Sequence, residues 1–384
     1  MFRSIVATVS LGLCATLVAA VGCKTIAGEA AAQAPARSSY RSTTVADSGK
    51  DPRAAIDDAG LIYVVYGNGN AIRCSVSTDA TGSKFQKPVT IHDRGVLSIG
   101  MRRGPRIAIS HGSIVVTAVV GDHGNGRDGD LLAWRSTDRG TTWSKPTPIN
   151  RVQGSAREGL HATAAGPEGL VYAAWLDDRN GRKEVFGAGS HDGGITWEPD
   201  KLVYRSPEKS VCECCHPSVA FGPDRSVYVM WRNNIKGARD LYVSRSTDLG
   251  ARFAPALKLG DRSWNLNGCP MDGGAIAVDR AGNVATVWQR AGTVVSASPE
   301  RDELTIGDGV QPWLAFDRTE PVIVWLDQRP GRLSIRRGLT SAAETIVESG
   351  AIDPVVAANP ARSGSVVVWE QAGAIRAASI EPNH

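Results

Sequence analysis

An eight-residue pattern that returns along the chain constrains the fold more than any other feature. RSTDRGTTW at 135–143 and SHDGGITW at 190–197 both contain Ser-x-Asp-x-Gly-x-Thr-Trp. STDLGARF at 246–253 keeps the serine, aspartate, glycine and an aromatic, and STDATGSKF at 77–85 is the same turn with one residue added. Asp79, Asp138, Asp192 and Asp248 are thus separated by 59, 54 and 56 residues. That recurrence marks one supersecondary unit repeated along the chain. Each residue type has a local reason. The carboxylate accepts backbone N–H bonds across a tight turn, glycine permits positive φ, and the aromatic packs between units.

The content of one unit follows from the short apolar runs between these turns. LIYVVY (61–66), SIVVTAVV (113–120), LVYAAW (170–175), SVYVMW (226–231), NVATVW (283–288), PVIVW (321–325) and SVVVW (365–369) are β-branched and mostly end in an aromatic. A second run precedes each, from PRAAID to PVVAAN, and a third follows, as in DLLAWRS and DLYVSRS. Such runs bounded by Gly, Pro and Asp read as strands. Four strands per unit, repeated radially, predict an all-β fold, a β-propeller of four-stranded antiparallel blades. Seven such units predict seven blades, with six as the rival count. STTVA near Ser42–Ala46 is placed to supply the outer strand of the last unit and close the ring, which removes exposed edges.

The recurring turn resembles the Asp-box, or BNR repeat, of sialidases and their relatives. The resemblance covers roughly residues 50 to 380 and implies the propeller fold; six blades is the number that sialidases have. It implies little about activity, because the turn is structural and sits on the face opposite the usual ligand site. Sialoside hydrolysis by that family is implied to need an arginine triad, an acid/base aspartate and a tyrosine nucleophile activated by glutamate. Here the early Phe/Tyr-Arg-Ile-Pro motif is absent, with GPRIAI (104–109) and DPRAAI (51–56) as the nearest counterparts. Arg53, Arg106 and Arg290 are the candidates for a triad, and Asp51 and Glu158 for carboxylates. No tyrosine falls in a segment leading into a unit, so the catalytic set is incomplete.

The N-terminus begins MFRSIVATVSLGLCATLVAAVGCKT, with Arg3 ahead of an apolar stretch that ends in small residues. This is the pattern of an export signal. Its Ala-Val-Gly-Cys ending resembles a bacterial lipobox, which implies lipidation at Cys23. The expected organisation is a signal peptide over 1–22, a tether and closing strand over 23–47, and the propeller over 48–384. A lipid anchor would hold the protein at a membrane, in the bacterial cell envelope, facing the periplasm or the cell surface. A net charge of +4 with no basic run excludes a nucleic-acid reading.

Export to an oxidising compartment sharpens the meaning of VCECCHPS at 211–218, where three cysteines and a histidine lie close together. In a propeller, ligands usually bind where the innermost strands begin. Cys212, Cys214, Cys215 and His216 lead into the fourth unit, Cys269 and Met271 into the fifth, and His161 into the third. Three readings stay open: a disulfide from Cys269 to one of the 212–215 group, a soft-metal site for copper or zinc, and a reactive thiol. The same face is rich in arginine. Arg103, Arg106, Arg179, Arg232, Arg290 and Arg329 are candidates to grip an anion through forked hydrogen bonds, unless each pairs with a nearby aspartate. The leading expectation is therefore a ligand- or metal-binding accessory protein of the envelope, with an anionic glycan or an envelope protein as partner. The alternative is a glycoside hydrolase of exo-α-sialidase type.

Overall fold

The computed structural model describes residues 40–359 and 363–381. The segment expected to be an export signal and Cys23 lie outside the described residues. Among the described residues, strands account for nearly all regular structure, the exception being one 3₁₀ turn at Pro167–Gly169. The repeated runs form antiparallel sheets in the order the sequence dictates. Lys50–Ile56, Ile62–Asn68, Ala71–Val76 and Val89–His92 make the first. His161–Ala165, Ser218–Phe221 and Ala275–Val278 each start a further four-stranded sheet. The sheet that includes Arg106–Ser110 has five strands, because the short Val96–Leu97 segment adds to its edge.

The described residues form six hydrogen-bonded sheets, not the seven separate ones that seven blades predict. The reason is a single strand. Glu344–Ala358 runs for 15 residues. Its first half pairs with Gly331–Arg337, as in Leu333↔Val347, and its second half with Ser365–Gln371, as in Val355↔Val368. Two four-strand layers thereby fuse into one seven-stranded sheet. Seven strand segments nevertheless line the axial channel, the second half of Glu344–Ala358 among them. Thr43–Ala46 pairs with Ala374–Ile380, so an N-terminal strand completes the last layer.

The core lies between neighbouring sheets. Val115, Ala133 and Ile149 of one layer pack against Val171, Trp175 and Phe186 of the next. Trp134, Trp175, Trp231 and Trp369 are among the largest fully buried side chains, which explains why apolar runs end in tryptophan. The recurring turns behave as their composition demands. Ser136 Oγ donates to Asp138 Oδ1 at 2.8 Å, while Gly140 N donates to Ser136 Oγ and Thr142 N to Asp138 Oδ1, both at 2.9 Å. The same set recurs around Asp192 and Asp248. Asp79 keeps a reduced version, in which Thr81 N donates to its carboxylate at 2.8 Å. Gly250, at φ +82, shows why glycine is required: a Cβ there would lie 2.3 Å from the Tyr172 ring of the preceding layer.

Candidate functional site

The inner strands all run in the same sense, so their first residues meet at one end of the axis. A channel of about 370 Å³ follows that axis. Its walls are small and apolar, with Ala54, Ala108, Ala164, Ala220, Ala277 and Ala315 among them. Arg53, Arg106 and Trp313 close it where the strands begin.

Around that closure sits a buried charge cluster. Arg102 is fully buried; its Nη2 donates to Gln311 O at 2.6 Å and Pro354 O at 3.3 Å, and its Nε lies 3.9 Å from Asp353 Oδ1. Arg53 and Arg102 lie 4.6 and 5.1 Å from the Trp313 ring centroid, a double cation–π arrangement. Arg106 Nε donates to His161 O at 3.1 Å and Nη1 to Arg103 O at 2.7 Å. Burial lowers the Arg106 pKa to about 10, and burial with Arg106 and Arg102 nearby pushes that of Arg53 well down. Nε and Nη2 of Arg53 and Nη1 of Arg102 are buried without a protein partner. Such donors are costly to leave unmade, so their position at the channel end is informative.

The carboxylates of this cluster have structural duties. Asp51 is fully buried, and its side chain accepts the backbone N–H groups of Gly100 and Arg102. Burial, then the charge of Asp353, raises its pKa. Gln311 Nε2 donates to Asp353 Oδ1 at 2.5 Å, Asp353 N to Gln311 Oε1 at 3.1 Å, and Gln311 N to Asp272 Oδ2 at 2.9 Å. Asp51, Gln311 and Asp353 all have φ near +50 and all precede proline. They occupy equivalent places, and each ties its own layer to another. Sequence reasoning named Asp51 as a candidate carboxylate but not Gln311 or Asp353, although all three share the same step before proline at the start of a strand segment. Glu370 was also missed. It is half-buried on the strand Ser365–Gln371, and burial, then Asp353 and Asp51, raises its pKa.

Several predicted anion ligands are committed elsewhere. Arg179 is paired with Asp177 and Asp200. Arg232 is buried and spends its guanidinium on Asp272 O, Arg239 O and Gln289 O at 3.0, 2.7 and 3.0 Å. Arg290 is paired with Glu303, which takes it out of any triad with Arg53 and Arg106. Arg103 Nε donates to Glu158 O at 2.7 Å, and Glu158 itself pairs with Lys183 at 3.0 Å. Arg329 lies 3.1 Å from Asp353 with its side chain 39% exposed, which keeps it available at the rim. The axial trio is Arg53, Arg102 and Arg106. In it Arg102 takes the place that sequence alone gave to Arg290.

The sulfur cluster forms beside the axis. Gly273 packs on the backbone of His216, where a Cβ would fall 1.9 Å from the His216 carbonyl oxygen. The two loops are therefore in backbone contact. Cys214 and Cys269 form a disulfide across 55 residues, while Cys212 and Cys215 are free thiols. Cys212 Sγ lies 3.4 Å from Cys215 Sγ, and the Cys214 sulfur lies 3.8 and 3.9 Å from these two. Met271 packs against the three. The Cys212 pKa falls to about 6, chiefly through hydrogen bonding with Cys215, helped by Arg232 and Arg239 and opposed by burial. Cys215 is pushed well up by burial. His161 is not a ligand in this arrangement: Nδ1 and Nε2 each face a backbone carbonyl at 3.3 Å, and burial lowers its pKa to about 3. His216 is buried, with Nδ1 2.9 Å from Pro217 O and its ring 5.6 Å from Trp313, so it belongs with the arginine cluster. Cys74 is buried in the first core with its pKa raised to about 12 by burial.

Comparison with known proteins fits this architecture. A family model described as a BNR repeat-like domain matches residues 69–307, more than half of the chain. The chain belongs to the BNR repeat-like domain family. No curated protein matches the sequence of this BNR-repeat chain. Among solved structures, virginiamycin B lyase from Staphylococcus aureus aligns with TM-score 0.53 at 11% identity, covering 88% of this chain and 98% of that one. A mutant sialidase from Streptococcus pneumoniae aligns with TM-score 0.52 at 10% identity, covering 88% and 68%. A mutant α-L-arabinofuranosidase from Fusarium graminearum aligns with TM-score 0.50 at 12% identity, covering 89% and 94%. At these identities the likeness is one of fold.

Proposed function

We propose that this BNR-repeat chain is a glycoside hydrolase-type propeller that takes an anionic glycan at the axial mouth. The observation that carries the reading is Arg53 and Arg106 beside Trp313 at the channel end, with Nε and Nη2 of Arg53 left without protein partners and Arg102 buried behind them. A carboxylate or sulfate with an apolar face matches those donors and that ring. Arg329 at the rim adds a more accessible cation. The sialidase and arabinofuranosidase among the fold neighbours lend support, because both act on glycosidic bonds. Glycoside hydrolysis needs a carboxylic acid that stays protonated until it meets the leaving oxygen. Glu370 is a group whose surroundings favour that state, and unlike Asp51 it is not spent on backbone N–H groups.

The reading is tested with a panel of fluorogenic glycosides, acidic and neutral. Turnover of an acidic glycoside is expected, with kcat/KM falling about 10²-fold or more in Glu370→Gln. Activity that depends on protonated Glu370 falls as pH rises through its raised pKa, so the alkaline limb of the profile reports it. Absence of turnover on every acidic glycoside overturns the proposal.

We also propose that the protein works in the bacterial envelope, lipid-anchored through Cys23. The support is the apolar N-terminal stretch and its Ala-Val-Gly-Cys ending. Palmitate labelling of the protein in a bacterial host is expected, and labelling that survives Cys23→Ser refutes the anchor.

A further inference from the structure

The sulfur cluster stands apart from the glycan reading and does not depend on it. Two of its thiols are free and one is masked by the Cys214–Cys269 disulfide. We propose that this disulfide is a lock on a three-thiolate site for monovalent copper, formed by Cys212, Cys214 and Cys215.

The geometry of the three sulfurs carries the argument. Their separations of 3.4, 3.8 and 3.9 Å make a nearly equilateral triangle. The point equidistant from its corners is about 2.1 Å from each sulfur, against roughly 2.3 Å for a metal–thiolate bond. The cluster is already closed to that size with the disulfide in place. All three residues are buried, so the site is dry and fixed by the surrounding fold. Thiolates with a thioether beside them select copper(I) among the biological metals. Met271 supplies that thioether. Zinc prefers four ligands, and among the described residues no carboxylate or imidazole joins the cluster. The excess negative charge of three thiolates on one monovalent ion faces Arg232 and Arg239.

The lock has an accessible side. Cys214 is buried, but Cys269 is exposed. A dithiol reductant can therefore attack the Cys269 sulfur. The Cys214–Cys269 bond breaks and a mixed disulfide forms, with Cys214 leaving as a thiolate. The second thiol of the reductant then displaces Cys269. Two electrons and two protons have moved from the reductant to the protein, and the reductant ends as its own disulfide. Copper(I) binding releases the remaining thiol protons. In the locked form Cys214 has no charge to give the metal, and only two thiolates are left.

The test uses the full chain, with copper(I) supplied as its bicinchoninate complex under nitrogen. Cysteines outside the cluster, Cys74 among them, are the same in every sample and set a common baseline. Protein reduced with dithiothreitol and desalted is expected to withdraw one more equivalent of copper than oxidised protein, at least 100-fold more tightly. Cys269→Ser frees Cys214 without reductant, so it binds that equivalent constitutively. Cys214→Ser never binds it, in either state. Equal copper uptake by oxidised and reduced wild type overturns the lock, and this comparison needs no variant to fold. Uptake that persists in Cys214→Ser, or zinc(II) held as tightly as copper(I), overturns the site.

Discussion

Arg102→Leu is expected to lower the free energy of unfolding by about 3–5 kcal/mol, the range for removing one member of a buried charge cluster. Arg102 is fully buried, so neither its desolvation nor its partners are shared with water. Its guanidinium holds the carbonyl oxygens of Gln311 and Pro354 and faces Asp353. It thereby joins a loop of the second sheet to two inner segments more than 200 residues away. Leucine fills part of the volume but leaves those carbonyls unmade and weakens the compensation of Asp353. Asp51, Gln311 and Asp353 then hold the mouth without a central cation. Urea unfolding checks the result, and Arg102→Leu/Asp353→Asn should recover part of the loss, because the buried carboxylate would otherwise keep only Gln311 and the half-exposed Arg329 as partners. A midpoint unchanged in Arg102→Leu would show that the cluster contributes no net stability.

Gly273→Ala should cost about 3 kcal/mol, at the upper end of what an added methyl costs in a packed site. The new Cβ would meet the carbonyl oxygen, carbon and nitrogen of His216 at 1.9, 2.9 and 3.0 Å. All three are backbone atoms, so no side chain can rotate out of the way. The two loops must separate, and they carry Cys269 and Met271 on one side and Cys212–His216 on the other. Two measurements should move together: the urea midpoint should fall, and Cys212 and Cys215, buried in the native protein, should react faster with an aromatic disulfide reagent. A lower midpoint with unchanged thiol reactivity would show that the loops give way elsewhere and that the sulfur cluster does not depend on this contact.

Much of the architecture was legible because propeller layers use local rules. Serine, aspartate and glycine at fixed offsets close one turn through bonds spanning four residues, as around Asp138 and Asp192. That chemistry survives in any context, so four copies announced the repeat. The strand Glu344–Ala358 escaped because nothing in its composition says whether two layers are separated by a turn or joined by one continuous strand.

The site was legible in its parts and not in its pairing. Residue types at the starts of inner strands placed arginine and cysteine at one end of the axis, and the cysteines of two successive layers met there. Which arginines would meet was a different question. Sequence alone offered Arg290 and Arg53 alike for a triad, yet Arg290 meets Glu303 two strands across its own sheet, while Arg53 donates Nη1 to Pro52 O and leaves its other nitrogens unpaired beside Trp313.

The sequence by itself determined the repeat, the strand alternation, the closing N-terminal strand and the presence of sulfur and guanidinium at one rim. Each depends on neighbours a few residues away or on a period that repeats. Tertiary structure alone decided which cysteine of three joins Cys269, which arginines stay unpaired, and how many sheets share the ring. Those outcomes depend on ångström-scale distances between segments 50 to 300 residues apart, and side-chain pairing falls off too steeply with distance for a linear pattern to encode it.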